Sequence, residues 1–414
     1  MKNLKGACIF GQSGGPTSVI NSSAAGVFIE ALKQENITAV YGAAHGIKGI
    51  LDEEFYDISK EDIKELELLK HTPSSELGSV RYKLKDVSVD DTDYKRVLEV
   101  FKKYNIRYFF YNGGNDSMDT CNKISKYMQS VGYECNVIGV PKTIDNDLAT
   151  TDHCPGYGSA AKYVATTVAE VYKDMTVYNT GLVSIIEIMG RNAGWLTAAS
   201  ALANKIGCGP DLIYLPERNF DIDKFIEDLK KKMEEKNGQV MVCVSEGIHD
   251  KDGKYISELF ASGAKDSFGH TQLGGLASVL ASLVKERLGV KVRPIEFSLM
   301  QRCGAHIASK RDIEEAFNAG SYAVKAACNG ETDKMVCFKR TKTNYEIEYI
   351  LLDVALAANA EKKVPDEWIN KEGNGVLSGF VDYALPLIQG SADAPTEDGL
   401  PRFAHLKKVL VKTK

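Results

Sequence analysis

Through residues 1–150 one pattern recurs: a short apolar run, a glycine-rich loop, then apolar side chains at helical spacing. Residues 6–10 read as a buried strand and 11–15 as a loop. Residues 17–33 read as a helix whose Val19, Ile20, Ala24, Val27, Phe28 and Leu32 share a face. The pattern returns at 107–111, with a loop at 112–116 and a helix from Ser117. It returns again at 136–140, which runs into Pro141-Lys142-Thr143-Ile144-Asp145-Asn146-Asp147. Strands at 182–189, 239–244 and 290–297 alternate with helices at 193–203, 220–237 and 272–288. Strands that alternate with helices predict an α/β fold built on parallel sheet.

At 414 residues, 44% of them hydrophobic, the chain can bury a large core and divide into domains, with a boundary near residue 150. Its 51 basic and 56 acidic side chains leave a formal charge of −5, which argues against nucleic acid as a partner. No run approaches the ~18 apolar residues of a membrane helix. Nine cysteines without CxxC spacing read as reduced thiols and predict a cytoplasmic protein. The seven histidines form no HxxxH pattern, so zinc has little support. The run from Lys230 to Lys236 reads as a solvated helix face, and Trp195 as core. The apolar stripe Leu276–Leu288 fits either core or a subunit contact.

Three loops carry the chemistry. Gly11-Gln12-Ser13-Gly14-Gly15 could bring backbone N–H groups to an anion ahead of a helix N-terminus, though a plain tight turn fits as well. Asn112-Gly113-Gly114-Asn115-Asp116 repeats the design, with a helix cap as its simpler reading. In an open α/β sheet such loops face one crevice. In the third, a carboxylate can take a proton from an attacking hydroxyl, a second can hold Mg²⁺, and Lys142 can neutralise a departing phosphate.

In this order the three loops resemble those of the phosphofructokinases: GQSGGPTSVIN, GGND and PKTIDND. Leu77-Gly78-Ser79-Val80-Arg81, Met189-Gly190-Arg191, Ser245-Glu246-Gly247 and Gln301-Arg302 are similar to further segments of that family. The resemblance implies two Rossmann-like parallel-sheet domains with the active site in the cleft between them. Residues 1–150 would handle the phosphoryl donor, 151–330 mainly the sugar phosphate, and 331–414 would pack back as an extension. It also implies transfer of a phosphoryl group to the C1 hydroxyl of fructose 6-phosphate, a step of glycolysis and gluconeogenesis. Asp145 would be the general base, with Lys142 and Asp116 beside it in the catalytic group. Gly14, Gly15, Arg81 and Gly114 fall on the donor side. Thr143, Asp147, Met189, Gly190, Arg191, Glu246, Arg293 and Arg302 fall on sugar-phosphate positions.

Two positions separate the donor types of that family. ATP users resemble GGDG and PGTIDND, and diphosphate users resemble GGDD and PKTIDND. Asp116 and Lys142 match the diphosphate type, and a carboxylate at residue 116 would repel the α-phosphate of ATP. The expectation is a diphosphate-dependent enzyme assembled as a homodimer or homotetramer. The alternatives are an ATP-dependent phosphofructokinase and a sensor that binds sugar phosphate without reacting. Three departures stand out. Asn115 replaces an acidic residue, so Mg²⁺ would be held by Asn115 and Asp147, with an amide oxygen in place of a charged one. Leu182 stands where many ATP-using relatives have arginine, and Leu299 where many relatives have histidine or tyrosine.

Overall fold

β1 (Gly6–Gln12) is buried along its whole length, and the period-two alternation of a strand divides its side chains between two cores. Ala7 and Ile9 pack in a cluster with Val97, Phe101, Met118 and Ile124. Cys8 and Phe10 pack in another with Val27, Phe28, Ala323 and Val324. A strand covered on both faces belongs inside a parallel sheet with helices on either side.

The structure, a computed structural model, describes residues 4–260, 275–341, 345–358 and 360–411. Chain order continues with β2 (Ile37–Ala43), β3 (Phe55–Asp57), β4 (Ile106–Gly113) and β5 (Asn136–Pro141). Then come β6 (Leu182–Ile188), β7 (Leu212–Tyr214), β8 (Gln239–Ser245) and β9 (Val292–Glu296), followed by β10 (Lys334–Arg340) and β11 (Ile347–Asp353). One sheet has the order β11-β10-β5-β4-β1-β2-β3, and a second has β7-β8-β6-β9. The second is parallel throughout. The first is parallel at its centre, with β3 and β11 antiparallel at its edges. The expected α/β class with two sheets is therefore present, but the first sheet is mixed. Its strand order reverses between β1 and β4, so the loops that follow those strands flank a crevice.

Several elements differ from the reading by pattern. The 193–203 helix forms only as Trp195–Ala199 and continues as a 3₁₀ segment, Ser200–Ile206. Of the 272–288 helix, positions 272–274 lie outside the described residues, and Leu276–Leu288 is helical. Its Leu276, Leu280 and Val284 are buried with Val183 and Ile185 of β6, so this stripe is core. Segment 331–414 supplies β10, which pairs in parallel with β5 (Lys334↔Ile138, Met335↔Gly139). Among the described residues no helix is long and apolar enough to cross a membrane.

The helix Ile20–Ala31 that follows loop one lies against the helix Lys310–Cys328, backbone to backbone. A Cβ on Gly26 would fall 2.0 Å from Phe317 O, and one on Gly320 would fall 2.1 Å from Ser23 O. In an open helix Gly→Ala stabilises by roughly 0.5–1 kcal/mol. Here Gly26→Ala is expected to destabilise by about 1–3 kcal/mol through overpacking, seen as a lower midpoint in thermal unfolding.

Candidate active site

The loops that leave β1, β4 and β5 hold one another through their backbones. Ser13 N donates to Asn112 O at 2.9 Å, and Lys142 N donates to Gly113 O at 3.0 Å. Asn112 Nδ2 donates to Val140 O at 3.0 Å. Gly14 takes φ 76°, a left-handed value that suits glycine. Its N–H is donated to Val80 O at 3.3 Å, and Ser79 Oγ donates to Gly14 O at 2.6 Å. The amide of Gly14 is thus spent inside the fold, where it binds the segment that carries Arg81.

Lys142 is buried, and its Nζ donates to Gly15 O at 2.6 Å. A Cβ on Gly14 would stand 3.4 Å from Lys142 Nζ, and one on Gly15 would stand 3.3 Å from Arg302 Nη1. Gly114 adjoins the same place, where an added Cβ would be 3.6 Å from Lys142 O. Burial lowers the Lys142 ammonium to about 8; Asp145 and Asp147 oppose the shift, while Arg302 and Arg81 add to it.

The turn after Lys142 depends on Asn146. This residue sits at φ 54°, a conformation that asparagine tolerates better than most side chains. Its Oδ1 accepts from Cys154 N at 2.9 Å, and its Nδ2 donates to Tyr383 Oη at 2.8 Å. Thr143 Oγ1 accepts from Asp145 N at 3.1 Å. Asp145 and Asp147, on either side of Asn146, both titrate above the ordinary carboxylate range. For Asp145 the chief cause is burial, reinforced by Glu246 and opposed by Lys142 and Arg191. For Asp147 it is burial, then the charge of Asp145. Asp145 therefore lies within the fields of Lys142 from the first sheet and of Glu246 and Arg191 from the second.

The loops after β6 and β8 are interlocked. Glu246 N donates to Ile188 O at 2.9 Å, and Glu246 Oε1 accepts from Gly190 N at 3.3 Å. Met189 N donates to Gln301 Oε1 at 3.2 Å, which brings the segment with Arg302 alongside. A Cβ on Gly247 would fall 1.8 Å from Arg191 O, so this position after Glu246 requires glycine. Met189, Gly190, Arg191, Glu246 and Arg302 are thus gathered at one end of the second sheet. Arg293 is not gathered with them. It lies within β9, where its exposed guanidinium pairs with Asp174 at 2.5 Å. Asp116 is exposed in the first turn of the helix Asn115–Ser130, 3.8 Å from Lys83.

The pattern-based reading missed the residues supplied by segment 331–414. Lys362 N donates to Asp147 O at 2.7 Å, and its Nζ donates to the carbonyls of Thr151 and Asp152 at 3.1 and 2.6 Å. Glu361 raises the carboxyls of both Asp145 and Asp147. No motif marks these two residues, and only the return of β10 to the first sheet brings their segment here.

One pair suits a hard cation. Asn115 Nδ2 donates to Asp147 Oδ2 at 3.1 Å, while Asn115 Oδ1 and Asp147 Oδ1 are buried without a hydrogen-bond partner. Orphaned oxygens are costly unless something binds them, and Mg²⁺ takes oxygen ligands. Among the described residues no group of three or more histidine, cysteine, aspartate or glutamate side chains could hold a metal. A cation here would keep open positions for water and phosphate oxygens, as Mg²⁺ usually does.

A buried carboxylate within the fields of a lysine and an arginine, beside two orphaned oxygens that would suit a cation, fits an α/β phosphotransferase. The chain belongs to the phosphofructokinase family, which it matches over residues 8–295. It is 44% identical to the pyrophosphate–fructose 6-phosphate 1-phosphotransferase of Xanthomonas campestris, over 99% of this chain and 98% of that one. It is 42% identical to the same-named protein of Halomonas elongata, over 98% of this chain and 97% of that one. The crystal structure of a pyrophosphate-dependent phosphofructokinase from Nitrosospira multiformis superposes with a TM-score of 0.90. Identity there is 39%, and coverage is 99% of this chain and 98% of that one.

The charge count of the ligand set tunes affinity for a hard cation. Asn115→Asp is expected to tighten Mn²⁺ binding severalfold, and Asn115→Leu to weaken it at least as much. Titration calorimetry without substrates measures both.

Proposed function

We propose that this chain transfers a phosphoryl group reversibly from diphosphate to the C1 hydroxyl of fructose 6-phosphate, giving fructose 1,6-bisphosphate. Near-full-length relatives named for this reaction support the reading. The observation that carries the choice of donor is Lys142, buried between the glycines of loop one and the carboxylates of its own turn. An ammonium there is placed to neutralise an inorganic phosphate leaving group, which has no nucleoside to anchor it.

Asp145 takes the proton of the C1 hydroxyl as that oxygen attacks the phosphoryl group in line. Its raised pKa makes it a stronger base than an exposed aspartate. Lys142 and Arg81 balance charge on the diphosphate, with Gly14, Gly15 and Gly114 leaving room for it. Asn115 and Asp147 would hold Mg²⁺, which when bound supplies charge neutralisation to the diphosphate oxygens. Arg191 and Arg302 offer guanidinium forks to the sugar phosphate, Thr143, Met189 and Gly190 line its path, and Glu246 accepts from a sugar hydroxyl. Asp116 acts at the rim as a barrier to the α-phosphate of ATP rather than as a reacting group. Arg293, exposed on β9, would reach a sugar phosphate only across an interface between copies, which fits a homodimer or homotetramer. Exposed Val177, Tyr178, Leu299 and Met300 give such an assembly apolar surface to cover. All nine cysteines are free thiols, in keeping with a cytoplasmic enzyme.

With fructose 6-phosphate and Mg²⁺, turnover is expected with diphosphate and not with ATP at equal concentration. Comparable rates with the two donors would instead make it an ATP-dependent phosphofructokinase, and binding without turnover on either donor would make it a sensor. Lys142→Gly is expected to lower kcat with diphosphate by roughly 10²–10³. An Asp145→Asn enzyme at near wild-type rate would exclude Asp145 as the base.

The free enzyme works with Asp145 ionised and Lys142 protonated. The pH profile of kcat/KM reports those groups. Its acid limb is expected above the ordinary aspartate value of about 3.9. Its alkaline limb is expected at about 8, below the ordinary lysine value of about 10.4. A profile flat to pH 10 would show that the Lys142 pKa is not lowered or that Lys142 does not need its proton.

A further inference from the structure

The short segment around Glu361 spans from the turn of Asp145 to the loop after β6, and its backbone is fixed on both sides. Glu361 forms an antiparallel bridge with Leu148. Lys362 N donates to Asp147 O at 2.7 Å, and Trp195 Nε1 donates to Lys362 O at 2.8 Å. Val364 N donates to Glu217 Oε1 at 3.0 Å, and the same oxygen accepts from Gly194 N at 2.9 Å. The side chain is oriented as well, since Glu361 Oε1 accepts from Asn192 Nδ2 at 2.8 Å. Glu361 is exposed, but its backbone is fixed on both sides and one hydrogen bond orients its carboxylate, so it is placed as a recognition element at the cavity wall.

Glu361 lines a cavity of about 380 Å³ with Arg191, Asn192, His249, Tyr255 and Lys363. That volume lies within the usual range for small-molecule sites, about 300–1,000 Å³. The lining couples basic groups, which suit an anionic ligand, to one carboxylate. An ionised carboxylate has acceptors only, with roughly four lone-pair sites, and the bond from Asn192 occupies one. It repels phosphate and welcomes hydroxyl donors. Glu361 is also within electrostatic reach of Asp145, where the reacting hydroxyl is placed.

We propose that Glu361 is a specificity-determining residue for the acceptor: its carboxylate accepts a hydrogen bond from one ring hydroxyl of the sugar phosphate, beside the basic groups of the same cavity. This rests on the phosphotransferase reading above. Glu361 does not take part in proton transfer. It sorts sugars by their hydroxyls, because a site built to bond a hydroxyl rejects an analogue that lacks it.

Glu361→Gln is tested with fructose 6-phosphate, with its 3-deoxy and 4-deoxy analogues, and with 2,5-anhydromannitol 6-phosphate, which lacks the anomeric hydroxyl. A lost charge-assisted hydrogen bond predicts a KM for fructose 6-phosphate raised roughly 10- to 100-fold. The KM for diphosphate should move less than about twofold. On the one analogue that lacks the bonded hydroxyl, wild type and variant should converge, which a merely structural role would not produce. An unchanged KM for fructose 6-phosphate, an equal loss on every analogue, or a parallel rise in the KM for diphosphate each overturns the assignment. Asn192→Ala serves as the second variant should Glu361→Gln fold poorly. It leaves the carboxylate in place but removes its orienting bond, and an unchanged KM for fructose 6-phosphate there also counts against the assignment. If the wild-type chain turns over neither donor, the activity reading fails. Calorimetric binding of fructose 6-phosphate to wild type and Glu361→Gln then decides the role of Glu361 by the same criterion.

Discussion

The site depends on one buried ammonium. Lys142 bonds a backbone carbonyl, that of Gly15, and its remaining charge is balanced at longer range by Asp145 and Asp147. An ammonium taken out of water is costly unless it is paired, and so is a buried carboxylate. Each group displaces the other's titration: the carboxylates hold Lys142 up against burial, and Lys142 holds Asp145 down against it. Neither side is fully compensated inside the protein. Such a site is preorganised for a ligand that brings several negative oxygens of its own, and it needs little rearrangement when the ligand arrives.

What makes this arrangement rigid lies behind the turn, away from the crevice. Asn146 donates to Tyr383 Oη, which in turn donates to Asp152 O at 2.7 Å. Arg340 of β10 pairs with Asp152 at 2.9 Å. His153 lies between Asp152 and Glu315, with ring nitrogens 2.8 and 2.7 Å from their carboxylates. Burial works against a charge on this imidazole, but Glu315 and Asp152 outweigh it and raise the group above its ordinary value. Glu315 belongs to the helix Lys310–Cys328, the one that packs backbone to backbone on the helix after loop one. The turn of Asp145 and the loop of Gly14 are therefore tied to the same helix from opposite ends of the site.

Much of this was legible in the sequence, for a local reason. Gly14, Asn146 and Gly190 mark positive φ with residues that accept it, and the apolar runs before them are buried strands. Turn chemistry and strand burial are written within a few residues, so the loops after β1, β4, β5, β6 and β8 could be placed at sheet ends. Pairing across the chain is not written that way. Nothing in Lys334–Arg340 says that it lies beside β5, some two hundred positions earlier, yet that pairing decides what the last segment does. For the same reason nothing in the sequence marks Glu361 or Lys362 as part of the site. Arg293 shows a different limit: a residue placed with the site by likeness of position lies, in a single copy, on a strand away from the other site residues and pairs with Asp174.

Segment 331–414 is then more than an extension. Its β10 fixes the far edge of the parallel core of the first sheet, and its Arg340 and Tyr383 hold the turn of Asp145 from behind. Its Lys362 holds that turn from the front while Trp195, just past the loop after β6, grips the same residue. One stretch of backbone thus bonds a loop of each sheet. Any motion that opens the two lobes must break these bonds or carry the segment along with one side. Carried with the first sheet, the segment keeps Asp147 and releases Asn192. Carried with the second, it keeps Asn192 and pulls on the Asp147 carbonyl. Count favours neither course: Asp147, Thr151 and Asp152 bond the segment from the first side, and Asn192, Trp195 and Glu217 bond it from the second.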